Sequence, residues 1–186
     1  MKRKWIYIVT GVAAWMAAAC TKYPTDVRKG IPSEYTEGWL EIYGQCYDSI
    51  NQGVVALDLY SDGLTLDENH RMKGTGYNLY ISDIFVEDSQ LVCGTYRSDT
   101  TAERFTFLPG KAFDDIPTGM YLLYVADNQL LSIQLLDSGT IVVSDTTDNL
   151  KDMRMTFYFR NVYGNTATYE THYQGALIPW QKRPRK

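Results

Sequence analysis

The sequence is poor in the residue types that carry most enzyme chemistry. It has only two histidines and three cysteines among 186 residues. Neither His70 nor His172 lies in a recognisable catalytic motif, and no P-loop, dinucleotide fingerprint or Gly-Xaa-Ser-Xaa-Gly elbow is present. These absences argue against nucleotide-dependent and nucleophilic catalysis. We therefore expect a protein that is not an enzyme and that carries no cofactor.

The acidic residues offer two weaker alternatives. Asp67, Glu68 and His70 share one polar loop, but their spacing matches no calcium loop, and metal ligands normally converge from separate elements. We expect a solvated loop and no metal site. Sugar hydrolysis needs two carboxylates across a cleft. Asp58 and Asp83 each interrupt an apolar strand, but such residues commonly cap turns, so we do not predict catalysis there.

The charge balance excludes one class of partner. Acidic residues number 22 and basic residues 18, and three of the basic ones lie in residues 1–19, which leaves 15 beyond them. Four of those 15 are in the short tail of residues 181–186. A body with this excess of negative charge repels nucleic acid, so we predict no nucleic-acid binding. We expect the basic tail to be solvated.

The N-terminal stretch has the layout of an export signal. Residues 2–4 are basic, residues 5–16 are mostly apolar, and three alanines precede Cys20. The apolar run is shorter than the roughly 20 residues that span a bilayer. Small residues directly before a cysteine resemble the lipobox of bacterial lipoproteins. That resemblance implies cleavage after residue 19, lipidation of Cys20 and anchoring in the cell envelope, where we expect the outer membrane. An ordinary signal with a chance cysteine is the alternative.

The chain beyond the signal divides into a tether, one domain and the tail. Residues 20–37 are polar and contain two prolines, which predicts a flexible tether. Residues 38–180 suit a single domain with its own core. Cys46 and Cys93 lie in this domain, and an oxidising compartment makes them a candidate disulfide pair. Two separate buried thiols are the alternative.

The pattern of residues 38–180 predicts an all-β fold. Residues 153–159 alternate, with Met153, Met155, Phe157 and Phe159 on one face and polar residues on the other. Residues 131–135 likewise place leucine and isoleucine on one face. No segment longer than two turns shows a helical period. We expect about ten antiparallel strands, forming a meander β-barrel or, as second choice, a two-sheet sandwich.

Several short motifs extend this prediction. They resemble a group of all-β lipoproteins from Bacteroidetes, some of them described as calycin-like or lipocalin-like, whose role is largely uncharacterised. The resemblance implies a barrel-like fold and spans most of the predicted domain. The motifs are Gly94-Thr95-Tyr96, Leu108-Pro109-Gly110, the stretch of residues 138–143, and the stretch of residues 173–177.

Aromatic residues give the only indication of a ligand. The chain has 15 tyrosines. Trp39, Tyr43 and Tyr47 share one strand face, and Tyr169 and Tyr173 share another. Exposed rows of this kind stack on sugar rings or peptides, whereas rows packed between strands serve the core alone. These five residues are the candidate ligand-binding set.

Together these features predict a lipid-anchored envelope protein that acts as a non-catalytic binding or structural module for glycan or peptide. One alternative is a lipocalin-like carrier of a small apolar ligand inside the barrel. Others are a glycan-processing enzyme with two converging carboxylates, and a subunit that exchanges strands through an open sheet edge.

Overall fold

The computed structural model describes residues 30–47, 52–146, 148, 150–161 and 163–182. The predicted signal of residues 1–19, the lipidation site Cys20, residues 20–29 of the predicted tether and residues 183–186 of the tail lie outside the described residues. The remaining part of the predicted tether includes a short strand, Glu34–Tyr35, in which Tyr35 is buried.

Every regular element in the described ranges is a β-strand, which confirms the all-β prediction. No helix among those residues is long and apolar enough to cross a membrane. The strands, in chain order, are β1 (Glu34–Tyr35), β2 (Glu37–Gly44), β3 (Gly53–Tyr60), β4 (Leu64–Leu66), β5 (Met72–Gly74), β6 (Gly76–Val86), β7 (Gly94–Ser98), β8 (Thr106–Phe107), β9 (Lys111–Phe113), β10 (Ile116–Thr118), β11 (Met120–Ala126), β12 (Gln129–Leu135), β13 (Ser138–Asp145), β14 (Lys151–Arg160), β15 (Thr166–Gly175) and β16 (Leu177–Gln181).

Twelve of these strands form one sheet. Its hydrogen-bonded path runs β1-β15-β14-β13-β7-β8-β6-β3-β2-β16, and the β11–β12 hairpin branches from β6. β4–β5 and β9–β10 are separate two-stranded sheets. The ten-strand path curls strongly into a half-barrel, so the prediction of a closed meander barrel is wrong.

The pairing also departs from a purely antiparallel pattern. β1 pairs with β15 in parallel, and β16 pairs with β2 in parallel. Thr36 alone separates β1 from β2, and Ala176 alone separates β15 from β16. The first and last long segments of the domain therefore run side by side in the same direction. Such pairing between distant segments leaves no local pattern in the sequence.

β6 brings two further parts of the chain together. One edge of β6 pairs with β3 along the strand. The other edge pairs with β11 in its first half and with β8 in its second half. Asp83 lies between these halves with a φ of 54°, a conformation that non-glycine residues rarely adopt. The change of partner sets β11 on the edge of β6 opposite β3, and the candidate site lies across these three strands.

Much of the core covers one face of this sheet, and two further buried clusters, one with Val54 and one with Tyr60, lie on the other face of β3. The largest fully buried side chains include Tyr35, Leu57, Phe157 and Tyr173. β14 alternates as predicted, with its four apolar residues buried and Tyr158 exposed. The expected apolar face of β12 is different, since Ile133 is 44% exposed. β12 is an edge strand that pairs only with β11 among the described strands, so part of its apolar face remains in solvent.

Candidate functional site

Four neighbouring strands place one row of side chains in register. Trp39 of β2 lies opposite Asp58 of β3, and Asp58 lies opposite Tyr80 of β6. Tyr80 in turn lies opposite Tyr121 of β11, and the two rings stack with centroids 5.2 Å apart. Directly opposed residues project to the same face of a sheet. The row therefore forms a continuous surface on the face that points away from Leu57 and the core.

Three residues of this row, Asp58, Tyr80 and Tyr121, line a cleft of about 490 Å³. Parallel pairing of β16 with β2 sets Trp180 opposite Glu41 along one side of the cleft. The loop between β4 and β5 contributes His70 to the lining. We call this cleft the aromatic groove and define it by six of its lining residues, which are Glu41, Asp58, His70, Tyr80, Tyr121 and Trp180.

The rim of the aromatic groove is a cluster of three rings. The His70 ring stacks on Trp180 with centroids 4.2 Å apart and an interplanar angle of 20°. Trp39 meets both rings edge-on, at 5.9 Å from His70 and 6.1 Å from Trp180. Asp67 holds the loop in this position, because its Oδ1 accepts hydrogen bonds from the backbone N–H groups of Asn69 and Arg71. His70 is exposed as predicted, but it belongs to an aromatic cluster.

Asp58 occupies the floor of the groove and is only 6% exposed. Tyr60 donates its hydroxyl to Asp58 Oδ2 over 2.6 Å, and Asn78 donates Nδ2 to Asp58 Oδ1 over 2.5 Å. Burial in a poorly solvated position raises the pKa of Asp58 from 3.8 to about 6, although both hydrogen bonds oppose the change. The nearby charge of Glu41 raises this pKa further.

Glu41 is the second carboxylate of the floor and is 4% exposed. Its Oε2 accepts hydrogen bonds from the hydroxyls of Tyr43 and Tyr80, at 2.7 and 2.9 Å. Its Oε1 lies 2.9 Å from Lys182 Nζ. Burial, followed by the charge of Glu41, raises the pKa of Tyr80 well above its ordinary value, so this hydroxyl remains a donor. The floor is thus a hydrogen-bonded network below three aromatic rings.

The structure divides the predicted ligand-binding set. Trp39 lies at the rim of the groove, and Tyr43 is a buried part of the floor network. Tyr47 lies outside the groove, where its hydroxyl donates to Asp83 and its ring packs against Phe85. The strand face that contains Trp39 therefore indicates where the site lies. Of its three aromatic residues, Trp39 and Tyr43 contact the groove residues and Tyr47 does not.

The second predicted row is not a surface. Tyr169 is 5% exposed and Tyr173 is 1% exposed. The Tyr169 hydroxyl lies 2.9 Å from the carbonyl oxygen of Pro32 and 2.8 Å from the hydroxyl of Tyr35, because β1 pairs with β15. Tyr173 donates to the carbonyl of Ala176. Both residues serve the core, which is the alternative to an exposed ligand-binding row that the sequence left open.

The two cysteines of the domain lie in different surroundings. Cys93 is exposed, and its Sγ lies 3.1 Å from Asp145 Oδ2. Cys46 packs at the edge of a buried cluster that includes Tyr43 and Phe85. The structure does not join the two sulfurs in a disulfide.

Sequence reasoning missed several groove residues. Trp180 and Lys182 fall at the predicted end of the domain and in the predicted tail, where no strand pattern was expected. Tyr80 and Tyr121 belong to strands whose tyrosines follow no unusual spacing. Asp58 carried the one available signal, since it is a carboxylate in an otherwise apolar strand.

Other parts of the surface are less informative. A larger cleft of about 650 Å³ is lined mainly by polar residues such as Gln52, Glu87 and Arg104, and no aromatic side chain lines it among the described residues. Among the residues that the structure describes, no three His, Cys, Asp or Glu side chains are grouped to hold a metal ion. The aromatic groove is therefore the candidate functional site.

Comparisons with known proteins add no assignment. No protein-family model, no curated protein and no solved structure matches the chain. The resemblance to calycin-like lipoproteins stays a prediction, and the function has to be argued from the groove.

Proposed function

We propose that this protein is a lipid-anchored envelope protein whose aromatic groove binds a glycan without cleaving it. The observation that carries the proposal is the cluster of Trp39, His70 and Trp180 directly above a floor of buried hydrogen-bonding groups. The lipid anchor rests on the motif that ends at Cys20.

The two layers of the groove match the two surfaces of a sugar ring. A sugar ring presents apolar C–H groups on its face, which pack on aromatic rings, and hydroxyls on its edge. Glu41 and Asp58 are acceptors for such hydroxyls, and the Tyr80 oxygen, whose proton is donated to Glu41, is a further acceptor. A few polar groups placed among aromatic walls are typical of small-ligand sites, and the volume of about 490 Å³ lies within their usual range.

The same floor disfavours an apolar ligand. Glu41 and Asp58 are buried carboxylates, and covering them with hydrocarbon would remove their remaining contact with water. On the opposite face of the sheet, Leu57 and Leu79 are fully buried in the core. A polar ligand in the groove therefore fits these surroundings better than an apolar ligand carried inside the fold.

The carboxylates also support binding without hydrolysis. Both oxygens of Asp58 accept hydrogen bonds from protein side chains, and both oxygens of Glu41 contact protein donors. Carboxylates held in this way position a network and leave little freedom to attack a substrate or activate water.

Calorimetric titration of the full chain with neutral trisaccharides of glucose, xylose and N-acetylglucosamine tests the proposal. We expect at least one to bind, and we expect Trp180→Ala to weaken that binding at least tenfold, because Trp180 lines the groove and loss of a central aromatic contact has an effect of this size. Tyr163→Ala is the matched control, because Tyr163 is 79% exposed and does not line the groove. Absence of binding by all three sugars, or equal losses in both variants, would contradict the proposal.

The anchor is tested separately by cell fractionation. We expect Cys20→Ser to move the protein from the membrane fraction to the soluble fraction, because two or more acyl chains give stable attachment and none gives little. Cys93→Ser is the control, since Cys93 is an exposed thiol in the folded domain. Membrane attachment that survives Cys20→Ser would exclude lipidation at this residue.

A further inference from the structure

We infer that the aromatic groove prefers glycans that carry a free amino group, and that the ammonium lies against Asp58, the floor carboxylate that Lys182 does not pair with. This inference rests on the proposed glycan-binding function and names the class of sugar. It depends on two observations about charge in the groove.

The first observation is that the groove already holds one ammonium group. Lys182 Nζ lies 3.1 Å from the centroid of the Trp180 ring and 2.9 Å from Glu41 Oε1. A cation over the face of tryptophan is attracted by the ring, and a carboxylate at the same point adds a charge-assisted contact. The side chain of Lys182 therefore shows that this part of the groove suits an ammonium.

The second observation is that the floor has one more carboxylate than it has cations. Among the described residues, Asp58 forms no ion pair, and Lys182 is paired with Glu41. Tyr60 and Asn78 are the side chains that donate hydrogen bonds to Asp58, and both are neutral.

The cations elsewhere in the groove do not change this balance. Arg71 also lines the groove, but it is exposed at the mouth in the loop that Asp67 holds. The charge of Lys182 reaches Asp58 and lowers its pKa, but Lys182 pairs with Glu41, so a second cation would balance the second floor carboxylate. Charges interact more strongly in a poorly solvated site than in water, so a positively charged sugar gains contacts that a neutral sugar lacks.

Two matched ligands test this inference. The trisaccharides of glucose and of glucosamine have the same ring and differ by a hydroxyl or an amino group at C2. We expect the glucosamine trisaccharide to bind the full chain about tenfold more tightly at pH 7, which corresponds to one charge-assisted contact. Calorimetry at two salt concentrations gives both affinities, and the preference should shrink at high salt.

Two substitutions should change the preference in opposite directions. Asp58→Asn removes the charge of the second floor carboxylate while it keeps a similar shape, so the two affinities should become equal within about threefold. Lys182→Met removes the resident ammonium and frees Glu41, so the preference for glucosamine should increase. Asp152→Asn is the control, since Asp152 lies on β14 and contacts His172, and it should leave the ratio unchanged. A general loss of structure would not move the ratio in two directions.

The outcomes separate this inference from the proposed function. Equal binding of both trisaccharides would overturn the amino-sugar preference and leave glycan binding intact. Binding of neither, together with none of the other neutral sugars, would overturn glycan binding itself. The preference would also be overturned if Lys182→Met lowers the ratio of the glucosamine to the glucose affinity or leaves it unchanged. This test holds even if Asp58→Asn does not fold.

Discussion

β14 and β3 belong to the same sheet, but they use their two faces differently. In β14 burial alternates, so that Phe157 is 0% exposed and the next residue, Tyr158, is 41% exposed. In β3 all eight residues are buried. The core covers the face of β3 that includes Leu57, and the groove network occupies the face that includes Asp58.

The difference shows how a site can be recognised on a sheet. Regular alternation indicates one dry face and one wet face, and it identifies core residues. A buried strand that contains a carboxylate has a second buried surface, because an isolated charge is too costly to place in a hydrocarbon core. Asp58 satisfies that condition through Tyr60 and Asn78, and its position opposite Trp39 marks the site.

The largest expected effect on stability concerns the two faces of β14. Phe157→Ala should lower the free energy of unfolding by about 3–5 kcal/mol, because it leaves a cavity beneath the sheet. Tyr158→Ala, one residue away on the wet face, should cost under about 0.5 kcal/mol. Urea denaturation of both variants measures the difference. Similar costs at the two positions would mean that β14 does not have one dry and one wet face.

The next effect concerns the pH dependence of stability. Burial raises the pKa of Asp58 from 3.8 to about 6, so the folded protein holds this proton more tightly than the unfolded chain. The contribution of Asp58 to stability is therefore fully present below pH 3.8 and is lost as the pH rises through about 6. The loss is on the order of 2–3 kcal/mol.

The measurement is the free energy of unfolding of the full chain minus that of Asp58→Asn, taken from pH 4 to pH 7. We expect this difference to fall as pH rises. Asp67 and Asp145 have lowered pKa values, through hydrogen bonds to the backbone of Arg71 and to the side chain of Lys151, and they act in the opposite direction. Because the variant retains both, they cancel in the difference. A difference that is flat or rises with pH would contradict the raised pKa.

A smaller effect on stability is expected when two ion pairs, one buried and one exposed, are removed in turn. Lys182 pairs with Glu41, whose side chain is 5% exposed, whereas Lys151 pairs with Asp145, whose side chain is 49% exposed. Lys182→Met should cost about 1–3 kcal/mol, because it leaves a buried carboxylate with hydroxyl donors alone. Lys151→Met should cost under about 0.5 kcal/mol, as exposed pairs contribute little. Thermal unfolding of both variants tests this, and equal costs would show that the groove floor is solvated.

Local patterns account for the parts of the fold that the sequence predicts. Alternation at residues 153–159 correctly identified the buried face of β14, and the absence of helical periods correctly predicted an all-β protein. The prediction of a closed barrel was wrong. The ends of the sheet are set by parallel pairing between strands at opposite ends of the domain, which no local pattern indicates. Packing of Tyr169 in the core was one of two alternatives, and the sequence could not decide between them, because its partner Tyr35 lies more than 130 residues earlier.

The candidate site was predictable only in part. Trp39 and Asp58 were both singled out from their own strands, and the structure sets them opposite each other. Trp180 and His70 could not be connected to them from the sequence, because their stacking depends on a parallel strand and on the conformation of a loop. A groove made by four strands and a loop has no contiguous motif.

The central claim is that the aromatic groove, and not the wet face of β14, binds glycan. The most direct measurement is an NMR titration of the full chain with the glucosamine trisaccharide. It follows the indole N–H signals of Trp39 and Trp180 and the backbone amides of β14. We predict saturable shifts of both indole signals and unchanged β14 amides. Unmoved indole signals, or shifts that are equally large along β14, would contradict the account.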